Sequence, residues 1–138
     1  MRKLLMSVLC IASSTIAYAA ESKLDCKDPQ SNYEMKMCAA RELKQAEGEL
    51  KVAFKRALKA AEEQYATGRS TPGLENMPNM PRALRKAQRA WEVFRDANCS
   101  YQDLVYYGGT MAPLAVTSCL RDMTKTRVKE LNELVDPG

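Results

Sequence analysis

The chain has 138 residues, 28% of them charged, with five cysteines, no histidine and a formal net charge of +4. That length suits one domain around one modest core. The lack of histidine removes the commonest general base and a usual zinc ligand, and so weak a positive charge argues against a nucleic-acid binder.

The N-terminus reads as a secretory signal peptide over residues 1–19. Arg2 and Lys3 form its basic start, "LLMSVLCIASSTIA" its apolar stretch, and "AYA" at 17–19 its small-x-small cleavage site. The apolar run is short for a membrane span, so no span is expected after cleavage. Leu9 precedes Cys10 where lipoprotein processing requires a small residue, which assigns Cys10 to the discarded leader. Cleavage removes two of the 21 basic residues and none of the 17 acidic ones, leaving a mature charge of +2.

Four cysteines remain: Cys26, Cys38, Cys99 and Cys119. An even count in an exported chain reads as disulfides, and four cysteines allow three pairings. Cys26–Cys38 and Cys99–Cys119 are favoured, because each joins neighbours across one turn-rich segment. Each closed loop is worth ~3 kcal/mol in the chain-entropy account. There is no CxxC pair, which argues against both a zinc site and a thioredoxin-like redox centre.

"ESKLDCKDPQ" is polar and irregular. Ser31 then opens "SNYE", a capping box with Glu34. A helix is expected from there to about Tyr65, with Ala39, Leu43, Ala46, Leu50, Ala53, Ala57 and Ala61 forming a small-residue seam. "TGRSTPGLENMPNMP" (67–81) has three prolines and two glycines and reads as a loop, long for a helix connection. Asn79 caps a second helix running to about Val105, with Pro81 in its first turn. "YYGGTMAP" (106–113) breaks the pattern again. Thr110 is the expected cap of a third helix, with Val116, Leu120, Met123, Arg127, Leu131 and Leu134 along one seam. The expected fold is all-α: a long antiparallel helical hairpin plus a packed C-terminal helix, stapled by two disulfides.

The second helix carries the chain's one tryptophan in Gln88-x-x-Trp91-x-x-x-Arg95-x-x-x-Cys99. At roughly 100° per residue, Leu84, Ala87, Trp91 and Phe94 cluster on a core side, with Gln88 and Arg95 at its edges. Trp91 is expected in the core, its indole N–H directed to Gln88. Arg95 and Arg127 at core margins require carboxylates, and Glu42, Glu47 and Glu49 on the first helix are the candidates. The alternative is that both guanidiniums face a cleft and hold an anionic ligand bidentately. No G-x-S-x-G or phosphate loop is present. With no histidine and cysteines expected to be oxidised, the chain reads as a non-enzymatic binder that implies no cofactor or metal.

"CKDPQSNYEMKMCAARELKQAEGEL", "LRKAQRAWEVFRDANC" and "YYGGTMAPLAVTSCLRDMTKTRVKEL" together resemble the LprI-like lysozyme-inhibitor family. The marks are the four cysteines, the Gln88-Trp91-Arg95-Cys99 stripe, Gly108-Gly109, and Thr124 with Arg127 in T-x-x-R. The resemblance implies a helical domain over 26–134 in the cell envelope, periplasmic after export, with a lysozyme or other peptidoglycan hydrolase as protein partner. Gln88, Trp91, Arg95, Thr124 and Arg127 are then a structural motif. Binding falls to the exposed breaks: Arg69 facing the hydrolase's carboxylates, and Tyr106, Tyr107, Gly108 and Gly109. Electrostatic steering toward a basic animal lysozyme favours an acidic inhibitor, whereas this mature chain is slightly basic. The second reading is an envelope interaction or toxin-neutralising module that binds through the outer surface of the first helix.

Overall fold

A computed structural model of the protein describes residues 24–136. The expected signal sequence, Cys10 included, lies outside them. These residues form three helices: α1 (Asn32–Arg69), α2 (Met80–Val105) and α3 (Ala112–Glu133). Among the described residues there is no strand, and no helix is long and apolar enough to cross a membrane.

Each helix start follows from local chemistry. Ser31 Oγ accepts from the Glu34 N–H at 3.2 Å. The reciprocal arm of the box lands one residue upstream of the cap, where Glu34 Oε2 accepts from the Gln30 N–H at 2.6 Å. Asn79 caps α2 as expected, its Oδ1 accepting from the Arg82 N–H at 2.9 Å. Thr110 does not cap α3. Met111 occupies the cap and makes no side-chain capping bond. The chain enters α3 through a tight turn instead, with Gly108 at φ +75° and the Gly109 N–H donating to the Tyr106 carbonyl at 2.8 Å. Pro113 in the first turn removes one N–H that would otherwise need a partner.

α1 continues one turn past Tyr65, to Arg69. The expected loop at 67–81 is therefore shorter, and Arg69 is helical. Gly68 in the added turn is buried under Met77, and a Cβ there would run into the Met77 sulfur. Met77 thereby ties the connection back onto the last turn of α1. Arg69 in that turn is a favourable cation at a helix C-terminus.

Side-chain pairs fix the directions. Glu42 meets Arg121 and Arg56 meets Asp136, so α1 and α3 run parallel. Glu62 meets Arg85, and Gln88 meets Arg127, so α2 runs antiparallel to both. The hairpin is present, but α3 closes it: α3 packs most extensively on α1, next on α2, and α1 touches α2 least. The alanine seam permits this. Ala39, Ala46, Leu50, Ala53 and Ala57 are buried, while Leu43 and Ala61 are half-buried. Leu50, Ala53, Ala57 and the fully buried Leu131 form the central cluster, with Phe54, Leu84, Trp91, Val128 and Val135 packed around it. Leu134, expected in the α3 seam, is exposed. It is the C-cap residue, and the chain turns there so that Val135 packs inward.

The inward face of α2 also differs from expectation. Pro81, Gln88 and Cys99 are buried, and Leu84, Trp91 and Arg95 are half-buried, so the Gln-Trp-Arg-Cys line itself points inward. Ala87 and Phe94, expected inside, are exposed. The polar members turn inward because partners on α3 satisfy them.

Candidate functional site

Three features could carry function: the polar core around Trp91, a cleft between α1 and α2, and the two helix connections. In the polar core, Arg95 Nη1 donates to Thr124 Oγ1 at 3.2 Å. Thr124 is fully buried, and its hydroxyl donates onward to the Leu120 carbonyl at 2.6 Å. Arg127 Nε donates to Gln88 Oε1 at 3.1 Å, and Gln88 Nε2 donates to Glu92 Oε1 at 3.1 Å. The Arg95 and Arg127 guanidinium carbons lie 5.3 and 5.9 Å from the centre of the Trp91 ring. An aromatic face is a favourable neighbour for a partly desolvated cation. Gln88 thus receives Arg127, where the sequence suggested the indole N–H.

The carboxylates that balance these cations are on their own helices. Arg95 pairs with Asp96 at 2.8 Å and Arg127 with Glu130 at 2.8 Å. None of Glu42, Glu47 and Glu49 bonds to either arginine. Glu42 instead joins α1 to α3 through Arg121, which donates to its Oε2 at 3.1 Å. Asp122 foremost, with help from Glu42, raises the Arg121 pKa above the ordinary arginine value. Arg121 went unnoticed in the sequence because it lies one residue off the α3 seam. Only the parallel α1–α3 register brings it to Glu42.

The cleft between α1 and α2 has a volume of about 300 Å³ and is lined by Glu47, Leu50, Lys51, Phe54, Gln88, Glu92 and Arg95. Arg127 is not among its walls. The two arginines therefore do not converge on one cleft, and each already holds a carboxylate. Glu47 and Glu92 further oppose an anion there.

The two connections lie at opposite ends of α2, which at 26 residues is about 39 Å long. Arg69 sits at one end, stacked 5.8 Å from the Tyr65 ring. Tyr106, Tyr107, Gly108 and Gly109 sit at the other, so a helix length separates them from Arg69. Both disulfides, Cys26–Cys38 and Cys99–Cys119, are at this second end, each with a Cα–Cα distance of 5.5 Å. Cys99–Cys119 cross-links the helices on either side of the 106–111 turn. Tyr107, 85% exposed, projects from a turn held on both flanks. Among the described residues, no group of three His, Cys, Asp or Glu could hold a metal ion.

Residues 26–131 match the protein family described as "Lysozyme inhibitor LprI". A relative from Rhizobium meliloti (strain 1021), "Uncharacterized protein R02472", is 30% identical over 129 residues, covering 93% of this chain and 91% of its own. No solved structure matches.

Proposed function

Because the chain belongs to the LprI lysozyme-inhibitor family, we propose that it is an exported, non-enzymatic binding protein that occludes the active site of a peptidoglycan-cleaving enzyme. The observation that carries this reading is the 106–111 turn. It presents Tyr106 and Tyr107 to solvent from the end of the bundle that both disulfides cross-link. A loop held in one conformation loses little entropy on binding, and tyrosine offers a large contact at low rotamer cost. Two disulfides suit an oxidising compartment. With the expected cleavage after Ala19, they support a periplasmic mature protein whose working domain spans 26–134. Arg69 becomes a secondary contact, since it belongs to the far end.

The alternative, a toxin-neutralising or envelope module acting through α1, has less support. The outer surface of that helix is mostly charged and polar, with Tyr33, Met37 and Val52 its large exposed apolar side chains. The test is a turbidity assay of peptidoglycan lysis, with the oxidised mature chain titrated against one animal lysozyme and one bacterial lytic enzyme. Near-stoichiometric inhibition of either, weakened ~10-fold or more by Tyr107→Ala with unchanged circular dichroism, supports the proposal. No inhibition at large excess by the folded protein overturns it.

A further inference from the structure

The large apolar side chains that the fold leaves in water gather at one end of the bundle. The Glu42–Arg121 and Arg56–Asp136 pairs set the register of α1 against α3. Tyr33 precedes Glu42 by nine residues, as Ala112 precedes Arg121, so Tyr33 stands level with the first residue of α3. Cys99–Cys119 sets α2 in the same way and brings its last turn, with Asp103 and Leu104, close to that level. Tyr33 and Leu104 are 69% and 65% exposed, and they flank the turn that carries Tyr107. Met37, Tyr101 and Val105 are exposed within the same end. Among the described residues, the rest of the bundle exposes only Val52, Leu74, Val93, Phe94 and Leu134 as large apolar side chains. Apolar side chains gathered on one surface mark an interaction site.

The charges at this end indicate what covers it. No lysine or arginine occurs between Arg95 and Arg121. Over residues 24–38 and 99–119 the carboxylates are Asp25, Asp28, Glu34 and Asp103, and the cations are Lys27 and Lys36. The end therefore carries −2, and the surplus of positive charge in the mature chain lies elsewhere along the bundle. Asp25, Asp28 and Asp103 are exposed, and none of the four carboxylates forms an ion pair among the described residues. Their field is left to act on whatever approaches the end. The net charge of the whole chain hides the sign of this surface.

We propose that the partner enzyme is held by this whole end, with Tyr33 and Leu104 beside the 106–111 turn, and that the exposed carboxylates select a hydrolase whose cleft is rimmed by lysine and arginine. This surface rests on the inhibitor reading, to which it adds contacts on α1 and α2 and a sign of charge. Charges at a rim act mainly on the rate of encounter, and buried apolar contacts mainly on the rate of release. The carboxylates therefore steer, while Tyr33, Leu104 and Tyr107 retain.

The experiment measures association and dissociation rates of the oxidised mature chain on whichever enzyme of the lysis assay it inhibits, in native form and with the enzyme's lysines acetylated. Association should slow ~10-fold on acetylation, and ~10-fold when Asp28→Lys and Asp103→Lys are combined, with dissociation little changed. Tyr33→Ala and Leu104→Ala, both at exposed positions, should each speed dissociation ~10-fold with unchanged circular dichroism. Glu63→Gln with Glu75→Gln, at the far end, should leave both rates as they are. Two results would overturn this surface and leave the inhibitor reading standing. One is association indifferent to the paired aspartate reversal. The other is Tyr33→Ala and Leu104→Ala chains that dissociate like wild type while Tyr107→Ala dissociates faster. A folded wild type that inhibits neither enzyme would overturn both readings together.

Discussion

Replacing Arg95 with alanine removes three interactions at once. The side chain is only 14% exposed and donates to the hydroxyl of the fully buried Thr124. A hydrogen bond to a charged donor in such a place is worth about 1.5–3 kcal/mol. Stacking on Trp91 adds roughly 0.5–1 kcal/mol. The Asp96 pair adds little, since that carboxylate is 62% exposed and solvent screens it. Arg95→Ala should therefore destabilise the fold by about 3 kcal/mol. With a Tm shift of roughly 4 °C per kcal/mol for a domain of this size, thermal unfolding followed at 222 nm should move down by ~12 °C. Thr124→Val removes the hydroxyl alone and should cost about 1 kcal/mol. The double mutant should lose less than the sum of the two, with a coupling of at least ~0.5 kcal/mol. A loss below ~1 kcal/mol for Arg95→Ala, or strict additivity with Thr124→Val, would refute the structural role given to the arginine.

Glu42→Ala and Arg121→Ala should each cost no more than about 1 kcal/mol in urea denaturation, because Glu42 is 39% exposed and partly exposed pairs contribute little. Leu131→Ala, at a fully buried position in the central cluster, should cost about 2–5 kcal/mol in the same assay. Replacing Cys99 and Cys119 together with serine should lower stability by ~3 kcal/mol, read as a shifted denaturant midpoint with helicity kept. Gly68→Leu must displace Met77 from the end of α1. It should speed proteolytic cutting within 70–79 by ~10-fold while barely moving the global Tm.

The α1 seam and two of the three helix starts were legible because they depend on neighbours three or four residues away. Ser31, Asn79 and the alanine spacing act locally. The inward line of α2 was harder to read. Apolar Phe94 and Ala87 looked like core residues, while Gln88 and Arg95 looked marginal. What turns the polar pair inward is Thr124 and Arg127, which lie 29 and 39 residues downstream. No local periodicity records such partners. The carboxylates for Arg95 and Arg127 were sought across the bundle but lie on the same helices, Asp96 adjacent and Glu130 one turn on. The helical state of Arg69 was hidden by the local Pro and Gly content, and the packing of Met77 on Gly68 is a contact across the turn that no local pattern records. At the candidate site, the exposure of Tyr106 and Tyr107 followed from the paired glycines. The distance that separates them from Arg69 required the helix directions.

The largest interface in the molecule joins its first helix to its last, and this sets an order of events during synthesis. Glu42 waits for Arg121, 79 residues later, and Leu50, Ala53 and Ala57 wait for Leu131. A chain still emerging N-terminus first can pair α1 only with α2, its weakest neighbour, so the seam stays open to solvent until the C-terminal helix has appeared. Contacts this distant along the chain make folding slow for an all-helical domain. They also leave the first helix without its main partner until the last helix has been made.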